Sequence, residues 1–186
     1  MNSFDVVIIG GGLSGSSSAI HLSRKGYSVL ILERSSQRLK IPCAGGMAAS
    51  MRKLLPLNID EAIETEVKRV HFTWESKDNV IANLSGSSPF LIVRREKLDN
   101  LLLEEAKNKG TQVINSAKVV NLVKIYDCWS VHCNDQTNYK AKFLIIADGS
   151  ESRWSSFLKL GPKKPRYAQT ASIRLNGLGN VAQDSV

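Results

Sequence analysis

Two stretches carry residue types from which chemistry can be read. Gly10-Gly11-Gly12-Leu13-Ser14-Gly15 follows the apolar run Phe4–Ile9 and opens a segment with helical composition. The pattern Gly10-x-Gly12-x-x-Gly15 therefore stands where a dinucleotide-binding turn belongs. In that reading Gly10 permits the tight turn, Gly12 lets the backbone approach a pyrophosphate, and Gly15 lets helix and strand close together. The diphosphate would rest on the helix start at Leu13 and Ser14, where unpaired N–H groups and the helix dipole favour an anion. Glu33 lies eighteen residues after Gly15, at the end of the next apolar run. It is placed to accept hydrogen bonds from a ribose diol, and its charge disfavours a 2′-phosphate. Arg34 follows it and joins the candidate cofactor residues. The second stretch is Ala147-Asp148-Gly149, closing the apolar run Phe143–Ala147. Asp148 reads as a cofactor contact or as a helix N-cap, two compatible roles.

These residues need elements to position them. Phe4–Ile9 and Tyr27–Leu32 read as buried parallel strands, with Ser16–Lys25 as the helix between them and Gly26 as its C-terminal cap. Residues 34–50 form a basic, glycine-containing loop, and a short helix is expected over Ala48–Leu55. Val67–Trp74 and Val80–Leu84 read as strands joined by a turn at Ser76–Asn79, and Phe90–Val93 as another strand. Leu98, Leu101, Leu102 and Ala106 have helical spacing over Glu96–Lys109, ended by Gly110, with Val113–Asn115 as the return strand. Alternation from Lys118 to Lys142 predicts an antiparallel meander with turns near Tyr126-Asp127 and Asn134–Asn138. Gly161–Arg166 reads as a linker and Ala168–Leu175 as a strand of a second layer.

Composition narrows the function classes. The chain has 186 residues, 42% of them hydrophobic and 23% charged, which excludes disorder and a disulfide scaffold. Three cysteines without a CxxC pair give no zinc-ribbon or thioredoxin pattern and fit a reducing compartment. The N-terminus lacks a basic n-region, and no stretch approaches the roughly 18 apolar residues of a membrane span. A cytoplasmic protein is expected. The 25 Lys+Arg against 17 Asp+Glu leave a net charge of +8, without a basic helical stripe or a nucleic-acid motif. That charge suits a solvated surface, an anionic cofactor or peripheral contact with an anionic membrane, and no nucleic acid is expected. His21, His71 and His132 show no metal-ligand spacing. Trp74, Trp129 and Trp154 are expected to pack.

Three further segments distinguish flavin from nicotinamide, which the glycine turn alone leaves open. Ala147-Asp148-Gly149-Ser150-Glu151-Ser152-Arg153 resembles the ADGxxS segment of the para-hydroxybenzoate hydroxylase class of flavoproteins. Arg95-x-x-Leu98-Asp99 resembles another recurring segment of that class. Pro42-Cys43-Ala44-Gly45-Gly46 is similar to the PCGGG loop of the geranylgeranyl reductase family. On these residues the chain is identified as a member of that family, over residues 4 to about 160.

The resemblance implies an α/β, Rossmann-like FAD-binding fold of the GR2 type, with a β-meander and the start of an antiparallel substrate domain. Residues 1–160 would form the FAD-binding domain, with 67–93 as inserted substrate-domain strands, and 161–186 a linker and the start of the truncated substrate domain. Gly10, Gly12, Leu13, Ser14, Gly15, Glu33 and Arg34 would hold the ADP half of FAD. Arg95, Asp148 and Gly149 would approach the diphosphate and ribityl chain, while Cys43, Gly45 and Gly46 would border the flavin ring and an isoprenoid pocket. Read from the residues alone, Cys43 also suits a small buried hydrophobe and Arg95 a surface charge. No residue is singled out as catalytic, and no metal is expected. The implied reaction is reduction of C=C bonds in prenyl chains by reduced flavin, from an electron donor the sequence does not identify.

Ala44 replaces a family glycine, and Ser155 stands where an arginine is usual. Family members are longer, and their second half carries a Gly-Asp segment over the flavin. Its absence here raises the expectation of a companion C-terminal polypeptide. The alternatives are a non-catalytic FAD-binding remnant and a flavin hydroxylase or electron-transfer flavoprotein.

Overall fold

The computed structural model describes residues 3–36, 43–75, 77–84, 90–162, 166, 168, 169 and 171. Two compact units are formed, one from Met1–Leu39 with Asp99–Ala168 and a second built on Lys40–Leu98.

The first unit is organised by strand β1 (Ser3–Ile9), helix α1 (Leu13–Arg24) and strand β2 (Val29–Leu32). Val7, Ile8, Leu30 and Ile31 are fully buried. Strands covered on both faces read as unbroken apolar runs, which is why both were legible. Helix α1 buries only Gly15, Ser16, Ala19 and Ile20, a stripe of mostly small side chains that lets it sit close. Gly26, at φ +84°, accepts the left-handed conformation just beyond the helix end. Helix α2 (Arg95–Asn108) leads to β8 (Gln112–Ile114), and β9 (Val119–Ile125), β10 (Cys128–Cys133) and β11 (Asn138–Ile146) follow. Together they make a six-stranded sheet in the order β8-β2-β1-β11-β10-β9. The pairs β8/β2, β2/β1 and β1/β11 are parallel, and the meander pairs are antiparallel.

Strand β11 corrects the expectation of a separate strand at Phe143–Ala147. One nine-residue strand runs through Asn138–Ile146 and pairs with β10 over its first part and with β1 along most of its length. The sequence changes from alternating to continuous apolar within a single strand because its neighbours change. A short helix, α3 (Arg153–Phe157), ends this unit, with Trp154 buried in the core beside Val7, Leu30 and Tyr139.

The second unit holds β3 (Gly46–Ala48), β4 (Ile63–Val67) and β7 (Phe90–Val93) in one sheet, and β5 (Arg69–Trp74) with β6 (Lys77–Asn83) as a hairpin. The short helix expected over Ala48–Leu55 is a 3₁₀ turn at Ala49–Lys53. Backbone pairing of Gly46, Met47 and Ala48 with Ile92, Leu91 and Phe90 claims the preceding residues as strand. Ile63–Val67, whose Ile-Glu-Thr-Glu-Val alternation is a strand signal, had no sequence assignment. Lys77–Asn79, expected as turn, lie in β6, with Lys77 paired to Trp74. Trp74 is 72% exposed and does not pack as expected. The expected linker at Gly161–Arg166 and strand at Ala168–Leu175 fall largely outside the described residues.

An exposed polar staple ties β1 and β11 to the residue that precedes β2. The Asp5 carboxylate accepts from Lys142 Nζ at 2.9 Å, and from the Ser28 amide at 3.0 Å and hydroxyl at 2.8 Å. The Lys142 ammonium first, and the Ser28 donors next, hold this carboxyl well below the usual carboxylate range. The folded value lies below the unfolded one. The staple therefore stabilises above pH ~4 and is lost as pH falls towards the folded value. Lys142 is shifted upwards by the same contact, so the alkaline limit lies beyond its ordinary titration. In urea titrations, wild type should outlast Asp5→Asn at pH 7, and the gap should close below pH ~4. An unchanged gap at acid pH would show that the staple does not contribute through its charge.

Candidate functional site

The order of the first unit's sheet reverses at β1. The chain leaves β1 through α1 to reach β2 on one side, while β11 lies on β1's other side. Ligands of open parallel sheets bind at such a reversal, outside the carboxyl ends of the strands. Here those ends carry Gly10 and Asp148. The Ala147 amide donates to Ile9 O at 2.8 Å, and the Gly10 amide to Leu32 O at 2.9 Å, so the exits of three strands are fixed together.

The three glycines of the turn differ in their surroundings. At Gly10, φ is +103°, and a Cβ would lie 2.3 Å from Ala147 O. At Gly15 a Cβ would meet Gly10 O at 2.0 Å and Ile8 Cγ2 at 3.3 Å. Both positions are closed to any side chain by backbone atoms. Around Gly12 nothing lies within 4 Å, so its missing side chain leaves open space. Gly12 is also the N-cap of α1, and no side chain caps that end. The first intrahelical bond is donated by the Ser16 amide to Gly12 O at 2.9 Å, so the amides of Leu13, Ser14 and Gly15 precede the helix's own pairing. No acidic residue lies in the first turn. Uncapped amides beside a cleared surface suit a diphosphate.

Glu33 and Asp148 flank this end. Glu33 is half-buried and accepts from the Gly11 amide at 2.8 Å and the Ser35 amide at 3.0 Å. Lone pairs remain on both oxygens for further donors. Arg34 is exposed. Asp148 Oδ1 is buried and has no hydrogen-bond partner among the described residues. A buried acceptor in that state costs free energy until a donor arrives, which fits the hydroxyl-bearing chain of a flavin nucleotide. Asp148 does not cap α3; Ser152 does, accepting from the Ser155 amide at 2.9 Å. Gly149 follows with φ +94° and open surroundings. Sequence reasoning missed Ser16, whose buried hydroxyl donates to Gly11 O at 2.9 Å. Its only signal was a polar residue within the small-residue face of α1.

The remaining candidates lie in the second unit. Cys43 is exposed, not buried as a small hydrophobe would be. Its Sγ accepts from the Gly45 amide at 3.4 Å and from Arg95 Nη1 at 3.6 Å. Gly45 adopts φ +80°, where a Cβ would lie 2.2 Å from Val93 O, and its carbonyl accepts from the Val93 amide at 2.9 Å. Strand pairing at Val93 thus shapes the loop that presents Cys43, Gly45 and Gly46. Pro42 lies outside the described residues. Of the histidines, His21 and His71 are exposed, and His132 Nε2 lies 3.2 Å from Ser130 Oγ. No group of three or more His, Cys, Asp or Glu among the described residues could hold a metal ion. No helix is long and apolar enough to cross a membrane, among those described.

Residues 3–175 match the family described as FAD binding domain. The chain is 31% identical to Protein FixC of Salmonella typhi over 94% of its own length. It is 30% identical to the digeranylgeranylglycerophospholipid reductase of Picrophilus torridus over 84%. In each case it spans 43% of the relative's length. A geranylgeranyl bacteriochlorophyll reductase-like protein from Thermoplasma acidophilum superposes with TM-score 0.72 at 23% identity, covering 81% of this chain and 40% of that one. The halogenase PltM in complex with phloroglucinol and FAD gives TM-score 0.68 at 20% identity, covering 84% and 36%. Both likenesses support the expected Rossmann-like FAD-binding fold.

Two glycine substitutions separate architecture from ligand space. Gly15→Ala should lower unfolding free energy by about 2 kcal/mol or more, since the new methyl overlaps a backbone carbonyl. Gly12→Ala should cost under about 1 kcal/mol, because its space is open and its backbone is extended. Thermal unfolding of both variants is the check. Equal losses would contradict the assignment of Gly12 to a ligand face.

Proposed function

The chain belongs to the FAD binding domain family, and on that premise we propose that it holds FAD in an oxidoreductase that reduces C=C bonds in geranylgeranyl or related prenyl chains. The observation that carries the cofactor assignment is the uncapped start of α1 over the open face of Gly12, with the unpartnered Asp148 Oδ1 at the neighbouring strand end. The residues present fit the group. Amides of Leu13, Ser14 and Gly15 would bind the diphosphate, Glu33 would accept from the ribose hydroxyls, and Asp148 would accept from a hydroxyl of the ribityl chain. Gly10 would keep the turn tight, with Arg34 and Gly149 at its margins. When bound, FAD supplies hydride chemistry at a carbon–carbon double bond.

The prenyl assignment rests on different support. The Cys43-Ala44-Gly45-Gly46 sequence carries the reductase-type loop, and relatives named for digeranylgeranylglycerophospholipid reduction align with the chain. In this reading Cys43, Gly45 and Gly46 would line the pocket for a hydrophobic substrate. Such a substrate resides in lipid, and the net charge of +8 suits visits to an anionic membrane surface. The activity belongs to the relatives' full length, of which this chain spans less than half.

Purified chain incubated with FAD and desalted should retain near-stoichiometric flavin absorbance, while Gly12→Leu should retain little and still fold. A well-folded wild-type chain that retains none would remove the cofactor assignment. With flavin retained and reduced anaerobically, and a companion polypeptide supplying the rest of the relatives' length, a geranylgeranyl lipid should reoxidise it and yield a product with fewer double bonds. A hydroxylated product formed only with oxygen would favour the hydroxylase alternative.

A further inference from the structure

Gly11 is the one glycine of the turn to which the fingerprint gives no role, yet both of its polar groups are held by side chains. It is buried. Its amide donates to Glu33 Oε2 at 2.8 Å, and its carbonyl accepts from Ser16 Oγ at 2.9 Å. Ser16 is itself fully buried on α1. Glu33 is anchored in turn: its Oε1 accepts from the Ser35 amide at 3.0 Å, its amide donates to Ile114 O at 2.9 Å, and its carbonyl accepts from the Ala117 amide at 2.9 Å. The fit is close, since a Cβ at Gly11 would lie 3.4 Å from Glu33 Oε2.

From this arrangement we infer that Glu33 and Ser16 clamp the Gly11 peptide groups and hold the glycine turn in its phosphate-accepting shape before any ligand arrives. Glu33 is then a positioning residue for the diphosphate as well as a contact for the ribose. The inference rests on the reading that the start of α1 takes the diphosphate.

Two physical arguments support the clamp. A glycine-rich turn has more conformations to lose than any other sequence, so an unclamped turn would bind an anion only after that entropy had been spent. A carboxylate close to a diphosphate is also repulsive unless its charge is engaged. Two amide donors on Glu33 spread that charge into the backbone and still leave lone pairs for a diol. The Gly11 amide, turned to Glu33, is not available to phosphate, which leaves the anion to the amides that follow.

The test uses the full chain, with and without ligand. Amide hydrogen exchange is followed in ligand-free wild type, Glu33→Ala, Glu33→Gln and Ser16→Ala. Binding is titrated with FAD and with 2′,3′-dideoxyadenosine 5′-diphosphate, which has a diphosphate but no ribose hydroxyls. Glu33→Ala should speed exchange at Gly11 about tenfold or more while Val6–Ile9 stay protected. It should weaken both ligands by about tenfold, and Ser16→Ala should do the same.

Unchanged exchange at Gly11 in Glu33→Ala would overturn the clamp. So would a loss confined to FAD with the dideoxy ligand unaffected, since the carboxylate would then serve only the ribose. If wild type binds neither ligand, the FAD reading fails, and exchange at Gly11 decides the clamp by itself. Should Glu33→Ala fail to fold, Glu33→Gln decides it. A carboxamide has one oxygen for two amides, so Gly11 or Ser35 must lose protection, and full protection of both would refute the clamp.

Discussion

The first unit's part of the candidate site depends on a backbone packing constraint at Gly10. Strand β1, the start of α1 and the end of β11 converge there so closely that a Cβ on Gly10 or Gly15 would lie within 2.3 Å of a carbonyl oxygen. Real non-bonded atoms do not approach that far, so only glycine permits the convergence. The consequence is architectural before it is chemical. Because α1 can start immediately over the end of β1, its unpaired amides open onto the point where the sheet order reverses. Because β11 can lie beside β1, Asp148 arrives at the same place.

The polar groups around this point divide into two sets. One set is consumed by the protein itself: Gly11 is held by Glu33 and Ser16, the Glu33 backbone is tied beyond β8, and Ser152 caps α3. The other set has no partner among the described residues, namely Asp148 Oδ1 and the uncapped first turn of α1. A fold that satisfies the first set so fully and leaves the second open has left an acceptor and a group of donors for something that brings both hydroxyls and negative charge. A flavin nucleotide brings both. The Asp5–Lys142–Ser28 staple lies near the start of β1, beside the middle of β11 and just before β2, away from Gly10 and Asp148.

The second unit is governed by ladder pairing more than by side-chain burial. Its hairpin leaves Phe72, Trp74, Val80 and Ile81 at least half exposed, and its loop geometry at Gly45 follows from the approach of Val93 O. This is where local sequence was least informative. The residues Gly46–Ala48 have no strong strand signal, and they are extended because β7 lies beside them. Lys77–Asn79 have turn composition, and they are strand because Trp74 pairs with Lys77.

Local sequence determined β1, α1, β2, α2 and the meander, because continuous apolar runs, small-residue helix faces and Gly26 and Gly110 each have a short-range physical cause. The spacing of Gly10, Gly12, Gly15 and Glu33 also pointed to residues that the fold brings to one end of β1. Tertiary structure alone decided what stands opposite each of them. Whether a missing side chain makes room for a carbonyl, as at Gly15, or leaves open space, as at Gly12, depends on which neighbour stands opposite. That neighbour is more than a hundred residues away in the chain for Gly10, where Ala147 fills the space. The same holds for Ser16, whose role is set by the turn it closes on. Spacing specifies where a group sits along the chain, and only folding brings it the partner that gives it a function.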